Sequence, residues 1–166
     1  MSIIELLQQE MEMEAKTTRN MLSRIPESSH DWRPHPKSMT MSQLAVHIAE
    51  MPSWVVLTLQ TNEIDFAAMD YTPTQFQTNA ELLAIFEKSL ADGKTALSTA
   101  TETDLEPLFT LREGDKIYST DTKGDFVRMS FSQIIHHRAQ LGVYLRLLDI
   151  PIPGSYGPSA DEPAFQ

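Results

Sequence analysis

The chain has 166 residues, with 13 Lys and Arg against 23 Asp and Glu, a formal net charge of −10 at pH 7. That length suits a single domain, and 41% hydrophobic residues with 22% charged lies outside the composition of disordered chains. The acidic balance argues against nucleic acid and anionic membrane as partners. The absence of cysteine excludes disulfides, thiolate zinc sites and a cysteine nucleophile.

The N-terminal residues carry acids where a secretory signal would carry a basic region and an apolar core, so a cytoplasmic location is expected. A first helix is predicted from about Ile3 to Leu22. Ile3, Leu7, Met11, Met21, Leu22 and Ile25 form one stripe, Ser2 is the cap and Pro26 the stop. Glu14 and Thr18 fall within that stripe, and the Glu14 carboxylate either pairs with Arg138 or curls to solvent. The second helix begins near Ser38 to Ser42 and runs to about Gln60, with Leu44, Ile48, Met51, Val55 and Leu59 on one face. Pro52 inside it predicts a kink, because the ring removes a donor and clashes with the preceding turn.

A polar loop around Tyr71, Pro73 and Phe76 is long enough for a crossover connection. The third helix is capped by Thr78 or Asn79, carries Leu82, Leu83, Ile85, Phe86 and Leu90, and fades near Ala100. From Asp104 to Thr120 short apolar runs flank Glu113-Gly114-Asp115, which predicts a small hairpin or an ordered loop. The fourth helix starts between Asp125 and Ser130, passes through Ile134, Leu141, Leu145 and Leu148, and stops at Pro151. These elements predict an all-α, antiparallel four-helix bundle over residues 1–150. A Pro- and Gly-rich tail over 151–166 is expected to lie extended on the bundle or on a partner subunit.

Without cysteine, the five histidines are the inventory of soft ligands and general bases. On a helical wheel His137 lies beside Leu141 and Tyr144 on the apolar stripe, while His136 points away. His47 falls at the edge of the stripe of Leu44, Met51 and Val55, next to Trp54. Two inward-leaning imidazoles on different helices match the way bundles build metal sites, and Gln133 projects to the same side one turn before His137. The ordinary alternatives are hydrogen-bonded structural histidines, and a capping box Ser130-x-x-Gln133. Arg33, His35 and Lys37 precede the second helix as positive charge at a cleft mouth or as a solvated turn, held extended by Pro34 and Pro36. Tyr144 either brings its hydroxyl near the pocket or packs in the core.

Two blocks, DWRPHPKSMTMSQLAVHIAEMPSW at 31–54 and HHRAQLGVYLRLLDIPIPGSYGPSADE at 136–162, resemble the DinB superfamily of damage-inducible and thiol-transferase-like bacterial proteins. The resemblance implies a four-helix bundle with a crossover connection, often a homodimer, holding a divalent metal such as zinc or nickel on three histidines. Carried onto this chain, two of those ligands fall on His47 and His137, and the third falls on Gln133. An amide oxygen is a weaker, neutral donor, so a carboxylate such as Glu14, or water, would complete the shell. His136, Arg138 and Tyr144 are then neighbours of the pocket. The implied activity is metal-dependent thiol transfer or hydrolysis of a small molecule. The alternative is a non-catalytic small-molecule-binding or stress-response protein with a degraded metal site.

Overall fold

A computed structural model describes residues 1–163. Helices α1 (Ile3–Leu22), α2 (Met41–Glu50), α3 (Trp54–Gln60), α4 (Asn79–Thr99) and α5 (Lys123–Leu147) build the bundle, with α2 and α3 acting as one bent helix. Strands β1 (Glu63–Asp65), β2 (Leu108–Glu113) and β3 (Lys116–Thr122) form a small sheet. Four of the helices open on a reciprocal capping box: Ser2 with Glu5, Thr40 with Gln43, Thr78 with Glu81, and Thr122 with Asp125. Each box satisfies backbone donors that the first turn would otherwise leave bare.

The bend between α2 and α3 is a 3₁₀ turn over Met51–Ser53. It falls at Pro52, whose ring removes a backbone donor and forbids a continuous ladder. α1 and α2 both pack on α4 and on α5, giving one main core that contains Leu22, Met41, Leu44, Ile48, Leu82, Phe86, Phe131 and Leu141. A separate small core of Ile64, Phe109 and Phe126 lies between the sheet and the start of α5.

The predicted hairpin is present. β2 and β3 pair antiparallel from Leu108↔Thr122 to Glu113↔Lys116, with an irregularity between Leu111 and Arg112, and Gly114 takes φ 57° in the turn. That left-handed conformation suits glycine, which has no Cβ to collide with the backbone. The sheet also contains β1, from what reads as loop after the second helix, paired parallel to β2 through Ile64↔Leu111. Arg112 holds it there by donating to both Glu63 oxygens (3.0 and 2.8 Å) and pairing with Asp65 at 2.9 Å.

The last helix begins earlier than its sequence suggests, at Lys123, because Thr122 and Asp125 supply the cap. The alternative of a Ser130–Gln133 capping box is thereby excluded. Ser130 lies buried in mid-helix and donates to the Phe126 carbonyl at 3.0 Å. α5 ends at Leu147; just beyond it Asp149 takes φ 57°, and the Ile150 amide turns back to the Leu145 carbonyl at 3.0 Å before Pro151. Beyond it the chain returns along the bundle. Asp161 accepts from Arg146 and from the Ile152 amide (2.9 Å), and Glu162 pairs with Arg24. Residues 164–166, the end of the predicted tail, lie outside the described residues.

Candidate functional site

The bundle brings His47 of α2 against His137 of α5, with ring centroids 4.6 Å apart and planes at 74°. Trp54, on the far side of the Pro52 bend, meets the His47 ring edge-on at 5.9 Å. Both histidines are half-buried while His136 is exposed, as the helical wheel requires. His136 still touches the pair, its ring 4.9 Å from that of His137. Gln140 links the two from one turn on: its Oε1 lies 2.8 Å from His137 Nδ1 and its Nε2 3.1 Å from His136 Nε2.

An amide oxygen only accepts, so this contact places the His137 proton on Nδ1 and leaves Nε2 with a free lone pair. Burial pushes the His47 pKa below its ordinary value, and the neighbouring His137 pushes it further, against the opposing pull of Glu50. Burial also lowers the His137 pKa, with Gln140 opposing and His136 reinforcing. Both rings are accordingly neutral at pH 7, the state in which imidazole binds a cation.

Glu50, one turn beyond His47, is a site residue that sequence reasoning missed. Its carboxylate accepts from the Tyr71 hydroxyl (2.5 Å) and from the Thr74 hydroxyl and amide (2.5 and 3.3 Å). Burial and this bond push the Tyr71 pKa up, so the phenol stays protonated and the loop stays pinned beside α2. The i, i+3 spacing from His47 was the available signal.

The other predicted residues separate. Gln133 is half-buried on α5, one turn before His137. Glu14 lies in the core in the pairing alternative: its Oε2 is 2.6 Å from Arg138 Nη1, and its Oε1 accepts from the Tyr156 hydroxyl at 2.8 Å. With both oxygens engaged, it does not complete a metal shell. Arg138, 2% exposed, also donates to the Glu14 carbonyl (3.2 Å), Thr18 Oγ1 (3.1 Å) and Tyr156 (2.9 Å). Its partners lie on α1 and the tail. Tyr144 donates to the Met39 carbonyl at 3.2 Å and meets Trp32 edge-on at 5.6 Å, which fixes the segment entering α2. Arg33, His35 and Lys37 are exposed.

The pair fits a shared cation in spacing. With a metal–nitrogen bond of about 2 Å, two imidazoles on one metal hold their centroids roughly 4.5 Å apart at a right angle and about 5.2 Å apart at the tetrahedral angle, so the pair lies at the short end. The third donor fits less well, since no group of three His, Asp or Glu side chains converges among the described residues. Two neutral imidazoles with an amide as third donor would be a weak, uncharged set.

A helical bundle with a crossover, a small sheet before its last helix and a histidine pair between α2 and α5 defines the class. The DinB family model matches residues 1–166, and the chain belongs to the DinB family. Its fold is similar to that of a DinB-like protein from Bacillus subtilis, at TM-score 0.69 and 16% identity over 97% of both chains. A DinB-like protein from Bacillus cereus is similar at TM-score 0.70 and 20% identity, over 92% of this chain and 97% of that one. Among curated proteins no sequence matches. No described helix is long and apolar enough to cross a membrane.

Proposed function

We propose that the chain binds a divalent cation of the zinc or nickel type through His47 and His137, with the Gln133 amide as a weak third donor, and acts on a small molecule there. The observation that carries this reading is the approach of two imidazoles from separate helices to 4.6 Å. A bound cation would supply Lewis-acid activation of water or a thiol, the chemistry of thiol transfer or hydrolysis. The chain's own contribution is to hold the rings neutral and oriented. Gln140 fixes the His137 tautomer, as outer hydrogen bonds commonly do for ligand histidines. Glu50, one turn beyond His47, keeps the Tyr71–Thr74 loop pinned to α2.

A second reading, a small-molecule-binding protein with a degraded metal site, is favoured by the amide at position 133 and by the commitment of Glu14 to Arg138. Calorimetric titration with Zn²⁺ and Ni²⁺ separates the two. The metal reading expects one site, abolished by His47→Ala and by His137→Ala, and tightened at least about tenfold, or about 1.4 kcal/mol, by Gln133→His. Heat that survives both alanine substitutions overturns it. Binding that appears only in Gln133→His establishes the second reading.

A further inference from the structure

α1 has two apolar faces. Leu7, Met11 and Ala15 are buried in the bundle, whereas Ile3, Leu6 and Met13 remain 54%, 51% and 66% exposed. These three side chains line a groove of about 910 Å³ between the start of α1, the turn over Glu102–Leu105 and the start of α5. An apolar row beside a groove lies within the range by which amphipathic helices are bound.

The charges around the row decide which partner fits. Glu10, Glu102, Glu106 and Asp125 line the groove, and its cation, Arg128, is already paired with Glu10. Glu102 accepts from the Ile3 amide at 2.9 Å and Asp125 from the Thr122 hydroxyl at 2.5 Å, contacts that fix the carboxylates without neutralising them. Among the described residues Glu102, Glu106 and Asp125 form no ion pair. A second copy docked here about a two-fold axis would set this acidic rim against its own image, a like-charge juxtaposition that opposes association. A segment with Lys or Arg flanking its apolar residues would meet complementary charge.

The geometry points to this groove as the docking site for a basic amphipathic helix of a partner protein. Its apolar residues, at i, i+3 or i+4 and i+7, lie on Ile3, Leu6 and Met13, and its cations face Glu102, Glu106 and Asp125. This surface is independent of the histidine pair and does not rest on the metal reading.

The test uses the full chain and a fluorescein-labelled amphipathic Lys/Leu helix, read by fluorescence anisotropy. Saturable binding is expected, weakened at least about tenfold by Leu6→Ser with Met13→Ser and by Glu106→Lys. Asp70→Lys, an exposed acid outside the groove, is expected to leave it unchanged. All the substituted side chains are exposed, and circular dichroism checks that the fold persists. An equal loss in Asp70→Lys, or equal affinity for a Gln/Leu version of the helix, overturns the inference. So does a sedimentation result in which the unmodified chain is a dimer that Leu6→Ser with Met13→Ser splits into monomers, since that assigns the face to a second copy.

Discussion

Burial makes the folded chain resist protonation of both His47 and His137, and at His47 the neighbouring His137 ring, 4.6 Å away, adds to that resistance. Burial is the largest cause of the lowered pKa at both residues. The sign of the linkage follows. Above the ordinary histidine value of about 6.5 both folded and unfolded chains are neutral at these positions, and stability is at its full level. As the pH falls below that value the unfolded chain takes up protons first, and stability declines until each lowered native pKa is passed. Replacing both residues, His47→Gln with His137→Gln, should flatten the loss of stability on acidification from about pH 6.5, measured by urea unfolding in metal-free buffer at a series of pH values. An unchanged pH slope would show that the two rings are not held neutral by the fold.

Among the elements, close packing gives two helical glycines opposite roles. A Cβ on Gly93 would stand 2.5 Å from the Pro52 carbonyl oxygen and 3.0 Å from the end of Met11, so α4 lies against the backbone of the bend that leads to α3. On Gly142 of α5 the nearest atoms would be Met21 Cε at 3.7 Å and Ile152 Cγ2 at 4.0 Å, ordinary contact. Gly93→Ala should therefore destabilise by about 1–3 kcal/mol despite alanine's better helix propensity. Gly142→Ala should stabilise by roughly 0.4–1 kcal/mol, with both read from urea midpoints. The four main helices were legible in the sequence because each must bury a stripe, and a stripe imposes a period. β1 was not, because three residues carry no period and their pairing with β2 is made across the intervening α4. The early start of α5 was hidden because its first residues, Lys123 and Gly124, precede the apolar stripe and are set in the helix by the Thr122 cap. The same division holds at the candidate site. His47 and His137 were visible from wheel angle and motif, whereas the bonds of Gln140 and Glu50 depend on rotamers and on where a distant loop comes to rest.

For the molecule as a whole, Arg138 ties α1, α5 and the tail together through Glu14, Thr18 and Tyr156. Its side chain is 2% exposed and that of Glu14 7%, so neither charge has water to fall back on. Such a pair is costly to break from one side, because the surviving ion stays buried, and far less costly to replace entirely with apolar groups of similar volume. Arg138→Met should thus lose about 3–5 kcal/mol in urea unfolding, while Glu14→Leu with Arg138→Met should recover most of it. Tyr156→Phe removes the hydroxyl that donates to Glu14 and accepts from Arg138 but leaves their ion pair in place. It should cost only about 1 kcal/mol, the usual net worth of a hydrogen bond. The order of the three variants discriminates between explanations. If the double variant is as unstable as Arg138→Met, the guanidinium stabilises by packing and shape. If Tyr156→Phe alone approaches the loss of Arg138→Met, the tail is the strap that closes the α1–α5 seam beside His137.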